Sequence, residues 1–259
     1  MRIVPSLTPP GAMQAEVPCK AFGIASLDKT LGGGLARGRV HEVYAAEPDD
    51  AAAVIGFAMA LANGLARNEQ RTTLWLRSMR AMRLGGVLQA QGWAELGGAP
   101  DMALLGMVPD AMALLRATVE ALRCPALSVV IAESWGSMRE LDLTASRRLA
   151  LAAEKSGVPL LLLRLEAEPV PSAAQTRWQV ASAPSQALPG NASGAPVFDI
   201  TLLRQKSGPC GMNWRLEWDR DRRIFREAPL SGLVVPVPAD RPDAAGAGRQ
   251  RLAIARSAA

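Results

Sequence analysis

The side chains able to do chemistry in this sequence are few and poorly partnered. His41 is the one histidine, and it stands inside an apolar run with no Ser or Cys at a spacing that would make a nucleophile and base. Cys19, Cys124 and Cys210 are odd in number, far apart and without a second Cys or His at metal-ligand distance. Neither a disulfide framework nor a metal site is indicated, and they read as buried thiols. Acidic groups gather at Glu47, Asp49 and Asp50, and Glu133 closes the apolar run Val129-Val130-Ile131-Ala132. Positive charge is in excess, with Lys+Arg 29 against Asp+Glu 24 and a net charge of +5, and lysine occurs only at Lys20, Lys29, Lys155 and Lys206. An arginine-dominated balance permits contact with nucleic acid or an acidic protein and does not choose between them. The densest stretch, Arg215, Arg220, Arg222, Arg223 and Arg226, is interleaved with Asp219, Asp221 and Glu227. Mixed signs read as a solvated turn, with a partner or DNA contact as the alternative.

The elements that must carry these residues follow from periodicity. At 259 residues and 49% apolar content the chain can bury a full core. Short apolar runs at 39–44, 72–77, 102–107, 127–132 and 158–165 read as strands, several of the kind buried on both faces of a parallel sheet. Helical patterns separate them at 51–65, 80–91, 109–122 and 141–155. In the last, Leu143, Leu149, Leu151 and Ala152 share a face while Arg147, Arg148 and Glu154 point outward. Such alternation implies βαβ units. After Ala167 the pattern changes to strands without helices, at 176–183, 197–204 and 212–219. Residues 1–21 read as an aperiodic arm, 22–227 as the core domain and 228–259 as a flexible Pro-, Ala- and Gly-rich tail. No stretch approaches the ~20 apolar residues of a bilayer span, no secretory signal is seen, and a cytoplasmic location is the expectation. Trp75, Trp178, Trp214 and Trp218 fall on strands and are expected in the core, whereas Trp93 and Trp135 lie at segment ends.

A more specific pattern runs through Gly23-Ile24-Ala25-Ser26-Leu27-Asp28, then Leu31-Gly32-Gly33-Gly34-Leu35, then Gly38-Arg39-Val40-His41-Glu42-Val43-Tyr44. In this order it resembles the entry to the RecA recombinase core, where a glycine turn leads into the first core strand and on to the phosphate loop. The resemblance implies an α/β, RecA-like domain of the P-loop NTPase type. Its mostly parallel sheet would be flanked by helices and followed by an antiparallel C-terminal extension.

A working phosphate loop supplies G-x-x-x-x-G-K-[ST], with backbone N–H groups around the phosphates, a lysine on the β/γ-phosphates and a hydroxyl on magnesium. Here Tyr44 is followed by Ala45-Ala46-Glu47-Pro48-Asp49-Asp50-Ala51-Ala52-Ala53. In register, Ala45 and Asp50 stand at the glycine positions, Ala51 at the lysine and Ala52 at the hydroxyl. A carboxylate ~5 Å from a phosphate charge is repelled by roughly 3 kcal/mol at an effective dielectric of about 20. Asp49 and Asp50 together with the missing lysine are therefore expected to abolish triphosphate binding. No cofactor is implied, and no catalytic residue either: Ser78-Met79-Arg80 occupies the stretch where the family places its water-activating glutamate. Glu133 stands at the Walker B acid and, without its loop partner, reads as a strand-end carboxylate or cap. The first DNA loop is cut to Trp135-Gly136-Ser137-Met138-Arg139-Glu140, and the second, Glu166-Ala167-Glu168-Pro169-Val170-Pro171-Ser172, carries two acids and no aromatic.

The degenerate loop, the strand from Thr176 to Ser185 and the closing Trp214-Arg215-Leu216-Glu217-Trp218-Asp219 most resemble the ImuA family, over about residues 22–227. Membership implies a non-catalytic accessory protein of damage-induced, error-prone translesion synthesis. It would contact RecA, the Y-family-like protein ImuB and an error-prone C-family DNA polymerase, with DNA contact indirect or weak and no membrane. Candidate partner-binding residues are Trp135 and, in the tail, Arg249, Arg251, Leu252, Ile254 and Arg256; a tail without function is the alternative. Competing readings are an SOS-induced division inhibitor binding FtsZ, and an ATP-dependent RecA paralogue.

Overall fold

In the computed structural model, which describes residues 18–66 and 71–228, the apolar runs become strands. These are β1 Cys19–Lys20, β2 Leu35–Ala36, β3 Val40–Ala45, β4 Thr72–Ser78, β5 Ala103–Val108 and β6 Leu127–Trp135. They continue with β7 Leu160–Leu165, β8 Thr176–Ala183, β9 Val197–Gln205, β10 Asn213–Asp219 and β11 Ile224–Glu227. The helices are α1 Ala25–Thr30, α2 Ala51–Ala66, α3 Met79–Gly85, α4 Ala90–Glu95, α5 Ala111–Leu122 and α6 Leu143–Ser156. β1 and β2 pair with each other, and the rest form a nine-stranded sheet in the order β11-β10-β9-β8-β3-β7-β6-β4-β5. From β8 to β5 neighbours run parallel, and β9, β10 and β11 extend the sheet antiparallel. The mostly parallel α/β sheet with its antiparallel extension is thus the architecture implied by the glycine-led pattern.

Each face of the sheet has its own core. On one, α2 buries Val54, Phe57, Ala58, Leu61 and Leu65 against Val43, Ile131, Leu163 and Trp178, with Trp93 of α4 alongside. On the other, Leu114, Leu115 and Leu122 of α5 and Leu149 and Ala153 of α6 cover Val40, Val130, Leu160 and Leu162. Residues Pro48–Ala66 are long and apolar enough to cross a membrane by length and composition, contrary to the sequence expectation. The reason for that composition is visible in the fold, since α2 is in contact with β3, β6, β7 and β8.

Several local expectations are corrected. The helix over 80–91 is two helices, because Gly86 at φ 70 ends α3 and its carbonyl accepts from Arg77 Nη1 at 2.7 Å. In α6, Leu143 and Leu151 are exposed, and the buried positions are Ser146, Leu149 and Ala153. The three cysteines are exposed, since they fall on a two-residue strand, after the end of α5 and in the β9–β10 connection. Trp93 is buried, edge-on to Trp75 with ring centres 5.8 Å apart, and Trp214 is only half-buried. The basic stretch contains strand β11 as well as a turn. Two of its arginines are closely paired: Arg215 with Asp199 at 2.6 Å, and Arg226 with Glu217 and Asp219. The arm's last residues join the fold through β1, made possible by Gly34. At φ +121, a Cβ there would lie 2.3 Å from the Lys20 carbonyl. Most of the arm, and the tail with Arg249, Arg251, Leu252, Ile254 and Arg256, lie outside the described residues.

His41 is structural. Its Nδ1 lies 2.7 Å from Thr176 Oγ1 and its Nε2 2.8 Å from the Ala36 carbonyl. A carbonyl only accepts, so Nε2 carries the proton and Nδ1 accepts from Thr176, whose oxygen in turn accepts from Trp178 Nε1 at 2.7 Å. This chain ties β2, β3 and β8 together. Burial, with Arg39 nearby, lowers the imidazole pKa from 6.5 to about 4. On acidification the unfolded chain therefore binds its proton first. His41's contribution is complete above pH 6.5 and is lost as pH falls toward 4, by about 3 kcal/mol. Urea midpoints at pH 7 and pH 4.5 are expected to differ less in His41→Asn than in the parent; an unchanged pH dependence would remove His41 as the acid-sensitive group.

Candidate functional site

The position of the phosphate loop is the connection from β3 to α2. The chain leaves β3 at Ala45 and passes through an extended Glu47 (φ −129) into a single 3-10 turn, Pro48–Asp50, that runs straight into α2. Ala46 N–H donates to the Val180 carbonyl at 2.9 Å, so the first turn residue continues the pairing to β8. Asp50 lies immediately ahead of α2, where the helix dipole favours negative charge. Its carboxylate is 8% exposed and fully engaged: Oδ1 accepts from Ser182 N–H at 2.8 Å and Ser182 Oγ at 2.9 Å, and Oδ2 from Glu47 N–H at 3.3 Å. The loop thus holds the protein's own anion at the helix start and fastens it to β8. Asp49 is exposed, and Ala51 and Ala52 form the first turn of α2 with no cation or hydroxyl among them.

Glu133 is neither a strand end nor a cap. It is fully buried in β6, opposite Arg77 of β4 in register. Arg77 Nε donates to Oε2 at 2.7 Å and Nη2 to Oε1 at 2.8 Å, the bidentate geometry that gives the strongest carboxylate pairing. Trp75 Nε1 donates to Oε2 at 3.0 Å and Trp135 Nε1 to Oε1 at 2.8 Å. Four donors thus converge on one carboxylate, and Arg77 is itself 1% exposed and bonded onward to the Gly86 and Ala81 carbonyls. The acid at the Walker B position is held in a closed ion-pair and indole network. Trp135 is half-buried with its N–H turned inward, and it lies against α3 where Gly85 leaves room: a Cβ there would be 2.7 Å from its Cζ2. Its outer side borders a cavity of about 350 Å³ shared with Ser78, Arg80, Asp110 and Ser137.

A second charge cluster sits on the opposite face. Glu42 of β3 accepts from Arg177 Nε of β8 at 2.8 Å. The guanidinium carbons of Arg177 and Arg164 lie 5.6 and 5.9 Å from the centre of the Tyr44 ring. Burial first, then the neighbouring Glu42, pushes the Tyr44 phenol up to about 12. Arg164 is 2% exposed, and among the described residues its Nε and Nη1 have no hydrogen-bond partner. The segment in the place of the second DNA loop is strapped over this cluster. The Val170 carbonyl accepts from Arg177 Nη2, Ser172 from Arg177 and Arg204, and Ala173 N–H donates to Ser146 of α6. Among the described residues, no group of three or more His, Cys, Asp or Glu is arranged to hold a metal.

Sequence reasoning found Asp50 and Glu133 but not their partners Ser182, Arg77, Trp75 and Trp135. A signal was present: a lone Arg in the apolar Thr72–Ser78 and a lone Glu in the apolar Leu127–Trp135 must find each other if both strands are buried.

Over 81% of its length the chain is 32% identical to Protein ImuA of Caulobacter vibrioides, in two strains, covering 81% of each relative. Among solved structures, the crystal structure of a RadB recombinase matches with a TM-score of 0.52 at 14% identity, over 81% of this chain and 100% of that one. That likeness is one of fold. No family model matches the chain.

Proposed function

Because the chain belongs to the ImuA family, we propose that it acts as a non-catalytic RecA-like accessory protein in damage-induced, error-prone translesion synthesis. In this reading it bridges RecA, the Y-family-like ImuB and an error-prone C-family DNA polymerase in the cytoplasm, keeping the shape of a RecA protomer without nucleotide switching. The observation that carries the non-catalytic part is Asp50, whose carboxylate occupies the head of α2 and is bonded to Ser182. The Arg77–Glu133 pair supports it, since a buried carboxylate receiving four donors offers no open oxygen to a metal.

The direct test is the UV-induced mutation frequency of a deletion strain carrying the full chain or a version ending at Glu227. Loss of induced mutagenesis in the deletion with normal cell division, restored by the full chain, is the expected result. Failure of the shorter version would assign partner binding to the tail. Unchanged mutagenesis with altered filamentation would support a division inhibitor instead. MgATP is expected to leave thermal unfolding unmoved, whereas a site filled at 100 times its dissociation constant would add about 2.7 kcal/mol. A clear shift would favour an ATP-dependent paralogue.

A further inference from the structure

Among the described residues, the buried side-chain nitrogens and oxygens without a hydrogen-bond partner are Arg164 Nε, Arg164 Nη1 and Tyr44 Oη. All of them fall in one place, because Arg164 of β7 stands directly beside Tyr44 of β3 in the parallel register. Both residues are 2% exposed, and the Arg164 guanidinium carbon lies 5.9 Å from the centre of the Tyr44 ring. Folded interiors leave few such atoms, and each one calls for something that satisfies it.

The charges of the cluster select the occupant. Glu42, two residues before Tyr44 on the same face of β3, is engaged by Arg177 Nε at 2.8 Å. Two buried guanidinium groups, Arg164 and Arg177, thus share one buried carboxylate. Arg204, beside Arg177 in register, has the same sign, and Glu166 and Glu168 of the covering strap are exposed. A guanidinium cannot release its proton, and the Tyr44 phenol, pushed up to about 12, keeps its own. The interior therefore carries a fixed positive surplus surrounded by N–H and O–H donors. Water would satisfy the donors and leave the charge, which is costly to bury unpaired. A ligand that only accepts hydrogen bonds and carries one negative charge meets both needs. A doubly charged anion would overturn the balance and cost more to dehydrate. We infer that Arg164 and Tyr44 hold a small monovalent anion of the chloride class at the carboxyl ends of β7 and β3, beneath the strap 166–172. The strap offers the way in: it contains no helix or strand, its residues 168–171 are exposed, and Arg177 holds it through the Val170 carbonyl and Ser172. This inference does not rest on the mutasome reading, since anion binding is read on the isolated chain and induced mutagenesis in cells, and each can fail alone.

The test melts the full chain in mixtures of potassium chloride and potassium gluconate at constant total salt, so that chloride varies while ionic strength does not. Above the dissociation constant, each tenfold rise in chloride should lift the parent's thermal midpoint by about 3–6 °C. Arg164→Met should not respond. In gluconate it should melt above the parent, and its lead should shrink as chloride rises. Glu42→Gln removes the competing carboxylate and should bring the response on at about tenfold lower chloride. Tyr44→Phe, which loses only the hydroxyl, should need about tenfold more. Chlorine NMR gives a direct readout: the parent should broaden the chloride line beyond what Arg164→Met does, with Tyr44→Phe between them. Equal midpoint shifts in the parent and Arg164→Met would mean salt acting at the surface, and no shift in either would give the donors to water. Either result overturns the proposal, as does a Glu42→Gln chain that needs more chloride than the parent.

Discussion

Glu133→Ala is expected to cost roughly 3–5 kcal/mol, because it strands Arg77 as a buried cation and takes the acceptor from two indoles. Against a total stability of about 5–15 kcal/mol, that is roughly a fifth or more of what holds the fold. At about 2–4 °C per kcal/mol for a domain of this size, the thermal midpoint should drop by roughly 6–20 °C. Arg77→Met/Glu133→Leu removes both charges and should be less damaging than Glu133→Ala. It is not neutral, since the Trp75 and Trp135 N–H groups are left without Glu133, at about 1–3 kcal/mol for each one that stays buried. Urea titrations of Arg77→Met, Glu133→Leu and the double should therefore give a coupling of about 1–3 kcal/mol. Strictly additive losses would mean that the pair is not an energetic unit.

On the other face, removal of a charge is expected to act in opposite directions depending on which charge goes. Glu42→Ala leaves Arg177 and Arg164, 9% and 2% exposed, without the carboxylate that now faces Arg177, and should again lose about 3–5 kcal/mol. Arg164→Met should stabilise the chain by about 1–3 kcal/mol. It replaces a buried guanidinium whose Nε and Nη1 are unpartnered with an apolar side chain of similar length. In the Glu42→Ala background Arg164→Met should recover part of the loss. A destabilised Arg164→Met would show that its contact with the Tyr44 ring outweighs its desolvation.

The parallel part of the sheet was legible because fully buried strands such as Leu160–Leu165 are written as near-continuous apolar runs, here broken by Arg164 alone. Thr176–Ala183 was read with its observed bounds because Pro and Ser clusters flank it. β11 was hidden because its four residues, Ile224-Phe225-Arg226-Glu227, are too few to display a period, and the arginines before it dominate the pattern. The break between α3 and α4 is encoded in Gly85-Gly86, but two glycines in a helical period do not announce that an arginine from β4 will claim the carbonyl of the second. The site divides in the same way. That the loop lacks a lysine, a hydroxyl and both glycines is a statement about identity at fixed spacing, and the sequence contains it. That Asp50 binds Ser182, 132 residues away, depends on β8 lying beside β3. His41 repeats the lesson: it was read as a strand residue without chemistry, and its two bonds reach Ala36 and Thr176.

The place of β3 in the sheet also fixes a schedule for the ribosome. β3 ends at Ala45, and its neighbours β7 and β8 begin at Leu160 and Thr176. At about 5–20 residues per second, the strand leads the start of β7 out of the exit tunnel by roughly 6–23 s. During that interval β4, β5 and β6, which pair with one another, have all been made. The nascent chain therefore carries β3 with both of its sheet neighbours not yet translated, and the part of α2 that packs on β7 and β8 still uncovered. The yield of this protein is then set by what shelters that segment during synthesis, as well as by how stable the finished sheet becomes.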